Sequence, residues 1–481
     1  MLATQWWCTC AFQYISSPLS TSDHLKLEFC FNRREIALRS HPFRSAKHLS
    51  LAMVTVAALT GSFLVQPVLT QGSYASNNRP ASSSVTITVS VNSSNLQATE
   101  PGEWDWLQAF AKANPTYKLQ ITGALEAQHD ISLEAEASSG TLPDLPMVGY
   151  PSLAETFYKS GDTLNLTPIL QKLHLTDLFP AAERALESIG NAQYEVPFES
   201  NAEGFYVNNA LFAKYGLSVP TTFNQLLAAV KVFHSHGIVT ILQGADTTAY
   251  SIWGFFGLLD EYGYQNDLNA ILSGKMKFNN PEILKFFTDL QELQQAGAFN
   301  TNIATTTYFQ AVADFQTGKY PMVDSGSFAA SSMQSLPFAK NIGWWWGPSV
   351  SDGVTKDTVV TDVSSGVWFV PKSDTKDPAV LTGVEKMLAF LYSNQGQQIR
   401  LAKGAELPLT TYVGTVPASQ SILRIIVNTV HGPTHVTSPA EPDKEISATM
   451  ANAMYSAVNG VMEGVLSPAS AAQLVQAAVG A

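Results

Sequence analysis

The chain has 481 residues, 45% of them hydrophobic, which is enough for two to three ordinary domains with large cores. Only 14% are charged, well under the roughly 25% usual for soluble proteins, and this low charge with abundant Ser, Thr, Asn and Gln fits a secreted protein, one facing acid conditions included. The formal net charge of −12 argues against nucleic acid and anionic membrane as partners.

Residues 1–48 do not read as part of a fold. Arg33, Arg34, Arg39, Arg44 and Lys47 precede an uncharged run from Leu49 to Val65, and Ser73-Tyr74-Ala75 then offers small residues at the two positions a signal peptidase reads. Residues 1–75 are therefore expected to be a targeting segment with an N-terminal extension, cleaved after Ala75. The alternative is an uncleaved anchor, since the run sits at the short edge of what spans a bilayer. Cys8, Cys10 and Cys30 all lie upstream of that point. The mature chain would then have no disulfide framework, thiolate metal site or cysteine nucleophile, and no cysteine follows the apolar run where a lipoprotein needs one. Removing the segment leaves 21 basic and 36 acidic residues, a net of −15.

A linker at residues 76–84 leads to Val85–Val91, which alternates as a strand. A polar loop from Asn92 to Gly102 precedes a helix carrying Trp104, Trp106, Leu107 and Phe110, and Tyr117–Ile121 is a second strand, completing one βαβ unit. A helix is expected over Asp130–Ser138, followed by the segment Gly140–Gly149. The stretch Gln193–Phe223 then changes character repeatedly. An apolar extended run at Val196, Pro197 and Phe198 passes through polar Glu199, Ser200 and Asn201 and resumes as an alternating strand at Phe205 and Val207. That is how a crossing between two lobes reads, and a polar kink between ordered elements is a place for a hinge and a ligand. Asn208 and Asn209 suit a helix cap, Gly216 its stop, and Thr222 with Gln225 a capping box.

Beyond the crossing, Thr240–Gln243 is a short strand, Tyr250–Phe256 begins an aromatic-rich helix, and Pro281–Ala296 is a helix with Gly297 as its stop. The run Trp344-Trp345-Trp346 lies on a strand, so Trp344 and Trp346 share one face and Trp345 takes the other. Thr361–Pro371 reads as the return crossing, Asp377–Tyr392 and Ile446–Val461 as helices.

Several ordered motifs resemble one family. Pro197, Tyr206, Asn208, Phe212, Gly216, Leu217, Pro220, Thr222 and Phe223 follow the order seen in extracellular solute-binding proteins of ABC importers, the maltose-binding-protein-like type that delivers sugars, oligosaccharides or glycerol phosphates. Ala313–Phe328, with Phe315, Gly318, Lys319, Met322, Gly326 and Phe328, resembles the family's Phe-x-x-Gly-Lys segment, with Phe328 in place of the usual Trp. Gly404–Leu409 resembles its Gly-x-x-Pro segment, and Gly464–Ala472 its ending. The resemblance covers roughly Val85 to Val479. It implies an α/β, two-lobed periplasmic-binding fold of type II, a clamshell whose cleft lies between lobes joined by crossing strands. The expected first lobe is 85–198 plus 362–412, and the second 203–360 plus 415–481. It also implies ligand contacts at Tyr150 and Ser152 after the Gly140–Gly149 strand, at Trp253, at Gly326 and Phe328, at Ser364 in the return crossing, where serines replace a glycine run, and at His435 beside His431. Glu199, Ser200 and Asn201 at the kink and Trp345 of the tryptophan run complete the candidate set.

An enzyme is disfavoured on the residues themselves. His234-Ser235-His236 lacks a third ligand and reads as a solvated helix end. Glu134 with Glu136 and Glu103 with Asp105 read as solvated helix faces, and Ser325-Gly326-Ser327 is not a nucleophile elbow. A secreted glycosidase would need two acids across a cleft. The expected function is carbohydrate capture by lobe closure and delivery to permease subunits of an importer, by a monomer in the periplasm or at the cell surface, without metal or cofactor. A glycerol-3-phosphate or glycerophosphodiester ligand is the alternative.

Overall fold

The computed structural model describes residues 84–480 except 125, 150, 180–183, 186, 199, 246–251, 356–357, 363–365, 405–413, 431–435, 439–441 and 444–445. The leader, the crossing after Pro408, and Tyr150, Glu199, Ser364, His431 and His435 lie outside the described residues.

Two sheets organise the chain. The first has the order β2-β1-β3-β12-β6, built from β1 (Val85–Val91), β2 (Tyr117–Gly123), β3 (Leu145–Val148), β6 (Val196–Pro197) and β12 (Val367–Trp368). Its β1, β2 and β3 run parallel, with Val85 opposite Tyr117 and Val89 opposite Leu145, because each is linked to the next by a helix. Between β3 and β6 a small separate hairpin pairs β4 (Ser188–Ile189) with β5 (Ala192–Gln193). The second sheet has the order β13-β11-β7-β9-β8 with β10 also on β7, from β7 (Asn201–Asn208), β8 (Ile241–Leu242), β9 (Met322–Gly326), β10 (Ile342–Trp345), β11 (Thr358–Asp362) and β13 (Val436–Ser438).

The central strand β7 is buried at every residue. One edge pairs with β9, and the other is shared between β11 at Asn201–Glu203 and β10 at Phe205–Asn208. Period-two alternation sorts its side chains: Phe205 and Val207 enter one apolar cluster with Phe212, Phe233 and Phe255, while Ala202 and Tyr206 enter another with Tyr308, Phe315 and Met333. The first sheet has its own core around Trp106, Phe110, Phe198, Trp368 and Leu388.

Local chemistry sets the helix limits. Asn280 accepts from the amides of Glu282 and Ile283 to open Pro281–Gln295, whose Ile283, Phe286, Phe287, Leu290 and Leu293 are wholly buried. Each such side chain contributes about 1.5–3 kcal/mol on burial. Gly297, at φ +80°, ends the helix in the left-handed conformation that glycine alone adopts without strain. Asn208 caps Asn209–Lys214 by accepting from Leu211. At Phe223–Ser235 the Thr222 hydroxyl accepts from the Gln225 amide, but the Gln225 side chain accepts from Thr221, one residue earlier than the expected box.

Other limits differ from expectation. Asn92–Gly102 is not all loop: it holds a short helix, Leu96–Thr99, and the start of Pro101–Ala113. The aromatic helix is a 3₁₀ turn, Trp253–Phe255, followed by Phe256–Glu261. A helix, Pro151–Ser160, begins immediately after the β3 loop, which puts Ser152 in its first turn.

The first crossing leaves β6 at Pro197 and enters β7 at Asn201; the return leaves β11 at Asp362 and enters β12 at Val367. The ends of the two crossings are paired, with Pro197 opposite Val367 in one sheet and Asn201 opposite Asp362 in the other.

Candidate functional site

Strands β7 and β9 are antiparallel, so the carboxyl end of β9 meets the first residues of β7, with Glu203 opposite Gly326. Consecutive residues here hold a group of aromatic rings. The Ser325 hydroxyl and the Tyr308 hydroxyl are 2.8 Å apart. On the other side of the strand Asp324 accepts from the Gly254 amide at 2.7 Å and from the Gln243 side chain at 2.9 Å, fixing the turn that carries Trp253. Three residues on from Ser325, Phe328 completes the set. Trp253 meets Tyr308 and Phe328 edge to face, with centroids 5.4 Å apart in both pairs, and Tyr308 meets Phe328 at 5.9 Å. Tyr308 is buried, whereas Trp253 and Phe328 keep part of their surface exposed.

Glycine is required twice. A Cβ on Gly326 would lie 2.2 Å from the Phe328 ring and 3.0 Å from a Glu203 carboxylate oxygen, so the bare α-carbon is what lets the ring settle beside the strand. A Cβ on Gly254 would lie 2.4 Å from the Phe205 ring.

The polar members are close-set. Ser200 and Asn201 are buried at the mouth of β7. The Ser327 hydroxyl accepts from the Ala202 amide at 3.0 Å and donates to the Asn201 side chain at 3.4 Å. Glu203 is buried, and its charge raises the phenol pKa of both Tyr206 and Tyr308, adding to the larger effect of burial. Burial likewise pushes the Asp324 carboxyl up from 3.8 to about 7 against the opposing effect of its two hydrogen bonds.

Of the residues expected from sequence, Ser200, Asn201, Trp253, Gly326 and Phe328 are thus brought together. Ser152 is on the helix after β3, the third strand of the first sheet. Trp345 is not part of the group: it is a core side chain, tilted on Phe205 at 5.1 Å, within the apolar cluster of the second lobe. The expected sharing of a face by Trp344 and Trp346 holds, their rings meeting at 5.4 Å, and Trp344 packs on Tyr206. Glu103, expected on a solvated face, is wholly buried and ion-paired with Arg400 at 3.1 Å. Sequence reasoning passed over Glu203, Tyr308, Asp324 and Ser327. The available signal was Asp324 itself, a lone acid in a strand that otherwise reads as buried. Among the described residues no cluster of His, Cys, Asp and Glu is arranged to hold a metal ion, and no helix is long and apolar enough to cross a membrane.

Residues 94–398 match the family model described as bacterial extracellular solute-binding protein. The chain belongs to that family. A multiple sugar-binding protein of Streptococcus mutans is 23% identical over 259 residues, a match covering 51% of this chain and 59% of that relative. The chain therefore spans less than two thirds of that relative's length. Among solved structures, a chitin oligosaccharide binding protein is similar with a TM-score of 0.70 at 20% identity, over 82% of this chain and 98% of the other. Maltose-bound MalE3 of T. maritima is similar with a TM-score of 0.65 at 17% identity, over 82% and 98%. These likenesses show the two-lobed α/β solute-binding fold.

Proposed function

We propose that this solute-binding protein captures a carbohydrate, a sugar or oligosaccharide, between its lobes and presents it to the permease subunits of an ABC importer, making and breaking no bonds. The observation that carries this reading is the half-exposed Trp253–Phe328 pair beside Asn201 and Glu203, at the strand ends adjoining two crossings. Ring faces cover the apolar C–H side of a pyranose, while carboxylate and amide oxygens take its hydroxyls. A solute that touches both lobes shifts the population towards the closed form. The lobes are assigned as 85–198 with 362–412 and 203–360 with 415–481. The protein acts as an exported monomer in the periplasm or at the cell surface. The names of its relatives, a multiple sugar-binding protein, a chitin oligosaccharide binding protein and a maltose-bound MalE3, agree with the ligand class. A phosphodiester is disfavoured, because the charged side chains whose fields reach Tyr308 are Glu203, Asp324 and Glu100, all acids, where a phosphate calls for Arg.

Titration calorimetry against maltose, maltotriose, xylobiose, raffinose, chitobiose and glycerophosphocholine tests the proposal, with chromatography of each mixture for products. Saturable binding of at least one saccharide without turnover is expected. Binding of glycerophosphocholine alone, or release of a hydrolysis product, would overturn it.

A further inference from the structure

We propose that Arg400 is a positioning residue for lobe closure: it fastens the end of the first crossing to the first lobe, so that movement between the lobes begins only beyond Phe198. The role deepens the solute-binding reading and rests on it.

Arg400 lies near the end of the Asn394–Ala402 helix and is 3% exposed. Its Nε donates to Glu103 at 3.1 Å, and a terminal nitrogen donates to the carbonyl of Phe198 at 2.5 Å. The guanidinium carbon sits 4.5 Å from the centroid of Trp106 and 5.0 Å from that of Phe198. The preceding carbonyl, Pro197, accepts from the Tyr392 hydroxyl at 2.5 Å, and the Phe198 amide donates to Gly366 in the return crossing at 2.8 Å. The backbone that leaves β6 is therefore gripped at successive groups by first-lobe elements. The second sheet begins at Asn201, which pairs with Asp362, and there the Ala202 amide donates to the Ser327 hydroxyl.

The neighbouring side chain points the other way. Leu401 belongs to the apolar cluster of Ala202, Tyr206, Ile422 and Ile426 in the second lobe, while Arg400 and Gln397 of the same helix turn towards the first, where Gln397 and Trp106 both donate to the Leu391 carbonyl. One helical turn thus touches both cores at the level of the crossing.

A buried ion pair is a poor source of net stability, because desolvating two charges offsets most of their attraction. What this one supplies is geometry. The planar fork of arginine serves a carboxylate and a carbonyl together while lying between two rings, which an ammonium cannot do. Without it the Phe198 carbonyl has lost a charge-assisted bond, and the fixed end of the crossing moves back towards β6.

The test needs no sugar, so its outcome is independent of which solute binds, if any. In the full chain with Cys8, Cys10 and Cys30 changed to Ser, spin labels are attached at Ser132→Cys and Ser273→Cys, exposed positions on a first-lobe helix and at the C-terminal cap of the Tyr264–Leu272 helix of the second lobe. Pulsed dipolar spectroscopy then gives the distribution of inter-lobe distances. The double variant Glu103→Gln/Arg400→Met, which removes both charges together, is expected to widen that distribution by about twofold as the pivot lengthens. Arg400→Lys, which keeps the charge but not the fork, should stay wide. Tyr392→Phe removes one O–H and keeps the ring, so it guards against a double variant that does not fold, and it too should widen the distribution. An unchanged width in folded Glu103→Gln/Arg400→Met or in Tyr392→Phe, whatever happens to Tm, would show the grip to be structural only and overturn the proposal.

Discussion

Raising the pH should destabilise this protein through its buried carboxylates, and Asp324 makes the clearest case. It is 2% exposed and its carboxyl titrates at about 7 in the folded chain, against 3.8 ordinarily, because burial disfavours the charge. The folded state therefore holds a proton that the unfolded chain has released. Stability from this group is complete below the unfolded pKa and is lost as pH rises from about 4 to about 7, at about 1.4 kcal/mol per pH unit and about 4 kcal/mol over the window. Asp324→Asn removes the titration while keeping the shape. Gln243 can turn its amide to receive the new Asn donor, since its Oε1 has no hydrogen-bond partner among the described residues, and the Gly254 amide keeps its acceptor. Urea midpoints measured each half unit from pH 4.5 to 7.5, with the m-value checked for constancy, give the slope. The wild type should lose stability across this range and the variant should lose about one group's worth less. Parallel curves for the two proteins would refute the argument that burial governs this carboxyl.

Other substitutions separate binding from folding. Gly326 has φ −116°, a conformation open to any residue, so Gly326→Ala should fold normally but push the Phe328 ring off the strand; calorimetry should show saccharide affinity falling about tenfold or more, as expected for losing one aromatic face worth about 1–2 kcal/mol. Trp253→Ala should weaken binding by a similar factor with a small change in Tm. Trp345→Ala should do the reverse, costing about 3–5 kcal/mol of stability in denaturant titrations through its cavity while leaving affinity nearly unchanged. A loss of affinity in the Trp345 variant equal to that in the Trp253 variant would move Trp345 back to the site.

Alternation and capping made most of the architecture readable. Val85–Val91 could be read to the residue because it alternates between two turn-rich stretches, and the helix expected over Pro281–Ala296 was placed to within one residue because its apolar face and Gly297 agree. The crossing at Pro197–Asn201 was legible because a polar break interrupts a buried strand. What periodicity cannot show is partnership across the sequence. Glu103 and Arg400 are 297 positions apart, and neither neighbourhood reveals that an exposed-looking acid lies against a buried cation. Trp345 misled for a related reason: alternation correctly gave it a face of its own, but which face of β10 meets the core depends on its pairing with β7, where Trp345 lies opposite Phe205. The 3₁₀ turn at Trp253 escaped because its position is set by Asp324, seventy residues away, rather than by its own residues.

The same distant contacts link the ring group to the crossing. Asn201 is at once the first residue of β7, the partner of Asp362 at the end of the second crossing strand, and the acceptor for Ser327 next to Phe328. A change in the direction of the chain between Phe198 and Ala202 therefore cannot occur without moving a polar group beside the rings. Under the proposed function, a solute that orders those rings would restrict the angle at which the chain enters the second sheet. Coupling of this kind requires no separate relay. It follows from placing the ligand-facing strand ends and the fixed points of the crossing within a few residues of each other, with Phe198 held by Arg400 on one side and Ala202 held by Ser327 on the other.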